Sequence, residues 1–387
     1  MIYLDHAATT PIDPEVREVM LPFLDENFGN PSSVYGVGRQ ARATLDSARD
    51  RVAAALGCES RELIFTSGGS ESDNLAIRGV ARRNRDRGRH LICSQVEHHA
   101  VLHTMQDLER DGFEVTYLPV DKYGQVNQSD LEAALRDDTL LVSIMIGNNE
   151  VGTIEPVGEL AAVTHEKSAA YFHTDAVQAF GKIPIRVDEL GVDLLSISAH
   201  KIYGPKGVGC LYVRMGTRIQ PLITGGGHER NRRAGTENVA GIAGLAKAVE
   251  IAVRDFEQDT RHLATMQSRL LEGVMTAIPD ARLTGHPTER LPHNASFLFP
   301  GVEGDSLLML LDRHEVYASS GSACTSGSLE PSHVLLAMGI GPQEALGSLR
   351  LTVGKHTPPD AVDRAVEVIR ASVEQLHNGS LTPARAC

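Results

Sequence analysis

From about residue 60 to 215 the chain alternates short apolar runs with longer amphipathic stretches. The runs at 62–66, 90–94, 113–118, 140–144, 171–173, 193–197 and 209–213 predict strands. Strands separated by helical stretches are the pattern of a mostly parallel, doubly wound α/β sheet. Ahead of them, Ala41, Leu45, Ala48, Val52, Ala55 and Leu56 recur at helical spacing, with Gly57 placed to end the helix. A long helical pattern at 236–277 follows the alternating part. After it come a strand at 295–299, a helix at 304–314, a strand at 348–353 and a last helix at 359–377. Simple alternation has stopped there, so a smaller α+β domain is expected. The domains are then 12–257 for the large one and 1–11 with 258–387 for the small one.

Composition narrows the class. The 387 residues are 42% hydrophobic and 22% charged, with unremarkable Gly and Pro usage and no short repeat, which excludes fibrous, solenoid and disordered chains. The net charge of −13 argues against direct nucleic-acid binding, and the basic run at 78–90 reads as the polar end of one helix. The longest apolar stretch, 140–146, is too short to span a membrane, and the N-terminus lacks a signal pattern, so a cytoplasmic location is expected. Five cysteines without a CxxC pair fit reduced thiols. Cys58, Cys93 and Cys210 lie in or beside apolar elements and read as structural, while Cys387 is terminal and incidental.

Candidate chemistry sits where strands end, because open α/β sheets bind ligands at the carboxyl ends of their strands. Lys201, in Ser-Ile-Ser-Ala-His-Lys at 196–201, is a candidate Schiff-base amine, against the alternative of an ordinary solvated lysine. Asp175 follows the strand at 171–173. A carboxylate there can keep a pyridinium nitrogen protonated, and it equally suits a helix N-cap. Asn149 and Gln178 can hydrogen-bond a ring oxygen or serve as turn residues. The small residues of Thr-Ser-Gly-Gly-Ser-Glu-Ser-Asp-Asn at 66–74 let backbone N–H groups approach a phosphate at a helix N-terminus. That pattern is neither a P-loop nor a dinucleotide fingerprint.

His98, at a strand-to-helix junction, is placed to lie over a bound ring and move protons. His99 and His103 stand four apart on a helix, but no third ligand at metal spacing accompanies them, so no metal is expected. Cys324 lies among small and hydroxylated residues at 319–328. Such a segment cannot bury itself, and an accessible thiol there suits a nucleophile. Arg350 alternates with Leu349 and Leu351 and can fork onto a substrate carboxylate; Asn30 can help hold the same group.

Together these segments resemble the cysteine desulfurases of the class V aminotransferase group, in family order and nearly end to end. The matching blocks are 3–11, 28–33, 66–74, 148–152, 173–178, 198–201, 225–230, 233–236 and 319–331. Two departures are Ser70, where the family often has Thr, and Ala199, where it usually has Gly. The resemblance implies the pyridoxal phosphate (PLP) fold type I. It implies Lys201 as the cofactor lysine, Asp175 as the pyridinium partner and His98 as the ring-stacking acid/base. Asn149 and Gln178 would contact the cofactor oxygen, and Gly69, Ser70, Ser198 and His200 would hold the phosphate. Thr236 would reach that phosphate from the neighbouring subunit of a homodimer. Arg350 and Asn30 would bind L-cysteine and Cys324 would take its sulfur as a persulfide, for an iron–sulfur scaffold or another sulfur-acceptor protein.

Overall fold

The computed structural model describes residues 1–320 and 330–379; Cys324 and Cys387 lie outside the described residues. The chain opens with β1 (Ile2–Tyr3). Seven strands then form one sheet: β2 (Leu63–Thr66), β3 (His90–Ser94), β4 (Glu114–Leu118), β5 (Thr139–Ser143), β6 (Tyr171–Asp175), β7 (Leu194–Ser198) and β8 (Gly209–Val213). Their order is β2-β8-β7-β6-β5-β3-β4, and only β8 runs against the rest. The carboxyl ends of β2, β3, β5, β6 and β7 therefore open on the same edge.

Alternate residues of each strand face opposite layers. Leu91 and Leu141 meet Leu75, Val80 and Met105 from the helices Gly69–Arg83 and His99–Arg110. Their neighbours Ile92 and Val142 join Leu45, Val52, Leu160 and Val249 in the layer on the other face. In that layer the helix Gly36–Leu56 closes at Gly57, whose φ of 74° is the left-handed cap that glycine allows.

A second core surrounds the antiparallel sheet of β9 (Arg282–Leu283), β10 (Asn294–Leu298) and β12 (Ser348–Thr352), with order β12-β10-β9. The helices Phe256–Ala277 and Pro359–His377 pack there through Leu270, Val274, Ala365 and Ile369. Leu4 is buried in the same core, because β1 pairs in parallel with β11 (Val316–Tyr317).

Some sequence expectations change. The helical pattern at 236–277 is two helices, Val239–Arg254 and Phe256–Ala277, with Asp255 breaking the run. The basic run at 78–90 outlasts its helix, which ends at Arg83, and continues through a turn into β3. Strand β6 extends to Asp175, so that carboxylate ends the strand instead of following it. Among the described residues, no helix is long and apolar enough to cross a membrane.

Candidate active site

The strand ends converge on a cavity of about 390 Å³, a size suited to a small cofactor and substrate. Lining it are Gly69, Ser70, His98, Asn149, Asp175, Gln178, Ser198, His200, Lys201 and Arg350.

Beyond β2 the chain turns through Gly68, at φ 152°, into the helix Gly69–Arg83. No side chain caps this helix, so its first-turn N–H groups remain open to an anion. A Cβ on Gly69 would fall 2.7 Å from Val177 Cγ2, and one on Gly209 of β8 would fall 2.7 Å from the Gly68 backbone. A side chain at Gly69 would need Val177 to shift, and one at Gly209 would meet backbone. Ser198, ending β7, and His200, whose Nδ1 lies 3.2 Å from Thr9 Oγ1, form the opposite wall.

Lys201 closes the short 3-10 turn after β7. Its Nζ donates to the carbonyls of Ala7 (2.5 Å) and Ala8 (2.7 Å). The preceding Ala199 has room for its methyl because Gly204 lacks a Cβ, which would fall 2.7 Å from it. Asp175 Oδ1 accepts the Val177 N–H at 2.8 Å. Burial pushes its carboxyl up to about 6, against the pull of that hydrogen bond and of Lys201. No helix begins at Asp175, so the N-cap alternative falls away.

His98 caps the helix His99–Arg110, its Nδ1 accepting the Ala100 N–H at 3.1 Å. Burial first, then the charge of Lys201, lowers its pKa to about 4. The ring is neutral near pH 7 and carries its proton on Nε2.

Asn149 lies on the loop after β5, shaped by Asn148, whose Oδ1 accepts the N–H groups of Glu150 and Val151. Gln178 donates to the Ala7 carbonyl at 2.9 Å, while its buried Oε1 has no partner. Arg350 reaches in from β12, donating from Nη1 to the Asn149 carbonyl (3.0 Å) and from Nη2 to Asp5 (2.8 Å), with its buried Nε unpaired.

Other sequence candidates lie elsewhere. Asn30 is exposed and accepts the Ser32 N–H, away from the cavity. Thr236 is also exposed and does not line the cavity of its own chain. Cys324 lies outside the described residues. The rings of His99 and His103 are 4.8 Å apart, and His333 adds a third ring 4.7 Å from His99. Among the described residues, though, the one group of three whose ligand atoms converge is Asp73, His98 and Asp175. Burial pushes the thiol of Cys58 up to about 12 and raises those of Cys93 and Cys210, as suits inert core cysteines.

Sequence reasoning missed Asp5, the Ala7 and Ala8 carbonyls and Asp73. Only Asp73 left a signal, as a carboxylate spaced three, four and seven residues before Ala76, Ile77 and Val80 on the apolar face of its helix.

The class V aminotransferase family model matches residues 2–365. The chain is 54% identical to a cysteine desulfurase IscS of Methanosarcina thermophila, over 99% of this chain and 94% of that one. It is 53% identical to the protein of the same name from Dictyoglomus turgidum, over 97% and 95%. A solved NifS-like protein superposes with a TM-score of 0.91 at 40% identity, covering 96% of this chain and 99% of that one. For DndA from Streptomyces lividans the values are 0.77 and 37%, over 90% and 99%. With matches of that extent in sequence and in backbone, the chain belongs to the class V aminotransferase family, among its cysteine desulfurases.

Proposed function

We propose that this chain is a pyridoxal phosphate-dependent cysteine desulfurase that converts L-cysteine to L-alanine and carries the sulfur on Cys324. The observation that carries the reading is the convergence of Lys201, Asp175, His98, Arg350 and the uncapped glycine turn on one cavity. The residues fit the cofactor. The Gly69 cradle would be filled by a Cβ, and the Oε1 of Gln178 and Nε of Arg350 are buried polar atoms awaiting partners.

Gly69, Ser70, Ser198 and His200 would hold the phosphate, Asp175 the ring nitrogen, and Asn149 and Gln178 the ring oxygen. When bound, pyridoxal phosphate supplies an electron sink for the carbon that loses a proton. Lys201 would hold the cofactor through Nζ, and its amine would take and return the α-proton. Arg350 steers the substrate carboxylate with the donor it has not committed. His98, whose Nδ1 is held by the Ala100 N–H, would present Nε2 to the cofactor as the acid/base group.

The balance is L-cysteine plus the Cys324 thiol giving L-alanine plus a Cys324 persulfide. One S–S bond forms, the substrate C–S bond breaks, and the carbon takes a proton. The persulfide then passes to an iron–sulfur scaffold or another acceptor protein in the cytoplasm. We further propose residues 12–257 and 1–11 with 258–387 as the two domains, and a homodimer. The exposed apolar Leu24, Phe28, Val34 and Tyr35 support an interface, and Thr236 would reach the partner's phosphate across it.

The test compares alanine and sulfide released from L-cysteine and a reductant by wild type and Cys324→Ala, both loaded with the cofactor. Both products are expected in equal amounts from the wild type and neither from the variant. Sulfide release retained by the variant overturns the role of Cys324.

A further inference from the structure

Three acids come together at the cavity, Asp73 and Asp175 in its lining and Glu97 behind it, with too little positive charge beside them to balance all three. Asp73 is 1% exposed, Glu97 0% and Asp175 6%. They come from different elements: Asp73 from the first turns of the helix Gly69–Arg83, Glu97 from the connection after β3, and Asp175 from the end of β6. One ligand atom from each of Asp73, His98 and Asp175 lies within 4.8 Å of the other two. The groups facing Asp73 are Asp175, Glu97, His98 and His173, with Ser196 from β7; the charge of Lys201 acts on Asp175.

Buried acids this close cannot all ionise, so their surroundings choose which one keeps the charge. Asp175 is favoured by the Val177 N–H and by Lys201. Glu97 accepts from Ser94 and the Met145 N–H, and its Oε2 is unpartnered. Asp73 is placed worst for a charge. Its Oδ1 has no hydrogen-bond partner and lies 3.7 Å from His173 Nε2.

His173 is fully buried and its pKa falls to about 3, so the ring is neutral. Its nitrogens reach Ser143 Oγ (2.8 Å) and Ser196 Oγ (3.0 Å). Ser143 and Ser196 thus engage both ring nitrogens, and Asp73 Oδ1 is left without a hydrogen-bond partner beside a neutral ring. A proton there makes a donor within direct or single-water reach of Asp175.

We propose that Asp73 is a positioning residue: a neutral carboxylic acid, buried between His173 and Asp175, whose proton supports the charge of Asp175 and so the ring nitrogen of the cofactor. The second half rests on the pyridoxal phosphate reading; the protonation of Asp73 does not. Burial and the neighbouring carboxylates hold both Asp73 and Glu97 well above the usual carboxylate range, in agreement.

The test uses Asp73→Asn, which keeps a neutral donor of the same shape, and Asp73→Ala, which removes it. Infrared difference spectra of the cofactor-free protein at pH 7.5 are expected to show a protonated-carboxyl stretch in the wild type that Asp73→Asn loses. Loss of an ionised-carboxylate stretch instead overturns the proposal. In the loaded protein, the pH midpoint of the cofactor absorbance should be unchanged in Asp73→Asn. It should rise by about one unit, a tenfold change in proton affinity, in Asp73→Ala. An ionised Asp73 would instead make Asp73→Asn lower the midpoint, and equal midpoints in all three proteins would remove the positioning role. If no variant and no wild type takes up pyridoxal phosphate, the cofactor reading fails while the infrared result still decides the state of Asp73.

Discussion

Replacing Glu229 with alanine should destabilise the protein by stranding the charge of Arg49, 180 residues away along the chain. Glu229 is buried in a turn, at φ 46°, and its carboxylate accepts from Arg49 Nη2 at 2.6 Å and Nη1 at 2.9 Å. The same carboxylate accepts the Phe65 N–H of β2 at 2.9 Å, and Arg49 Nη1 donates to the Leu63 carbonyl at 2.8 Å. The side chains of Arg49 and Glu229 are 7% and 2% exposed, so water cannot replace either partner. Alanine leaves a buried guanidinium holding one carbonyl and a strand N–H holding nothing. Breaking one side of such a pair costs about 3–5 kcal/mol. At about 2 °C per kcal/mol for a cooperative unit of some 250 residues, the thermal midpoint should drop by roughly 6–10 °C. Differential scanning calorimetry of cofactor-free protein reads it. Arg49→Met combined with Glu229→Ala removes the stranded charge and should recover at least about 1 kcal/mol of the loss. A loss below about 1 kcal/mol in the single variant, or a double variant no better than the single, would refute the reasoning.

Two further outcomes follow from the same geometry. Glu155 is 3% exposed and burial pushes its pKa up to about 8, so the folded state binds its proton more tightly than the unfolded chain does. Its contribution is complete below pH about 4.5 and is lost as pH rises through 8, an effect of up to about 5 kcal/mol. Glu155→Gln should therefore reduce the fall in thermal midpoint between pH 5 and 8.5; an identical fall in both proteins counts against it. Gly69→Ala should weaken cofactor binding by about tenfold, since the new Cβ meets Val177 and overpacking costs about 1–3 kcal/mol. Titrating the cofactor-free variant with pyridoxal phosphate checks this, and unchanged affinity would mean that the turn has room to move.

Much of the fold was legible because its signals are local. The apolar runs that became β3, β5, β7 and β8 carry their own length and bounds to within a residue, and Gly57 marks its helix end by the backbone it permits. The same locality exposed Lys201 and Asp175, since a polar residue at the end of an apolar strand stands out in an α/β pattern. It failed at Asp255, where one helical period runs on through the break between two helices.

The sequence by itself thus determined the strands, the helices that cover them and the identity of most side chains at the cavity. The tertiary structure decided what those side chains touch. The pairing of β1 with β11, more than 300 residues away, brings the Ala7 and Ala8 carbonyls to Lys201 and Asp5 to Arg350. The packing of the helix Gly69–Arg83 on the sheet sets Asp73 beside Asp175, while Asn30 and Thr236 stay on the surface. Periodicity reports how a residue is placed relative to its neighbours in sequence. Which distant partner shares its burial, and which of several buried acids keeps its charge, depends on contacts that exist only once the chain has closed on itself.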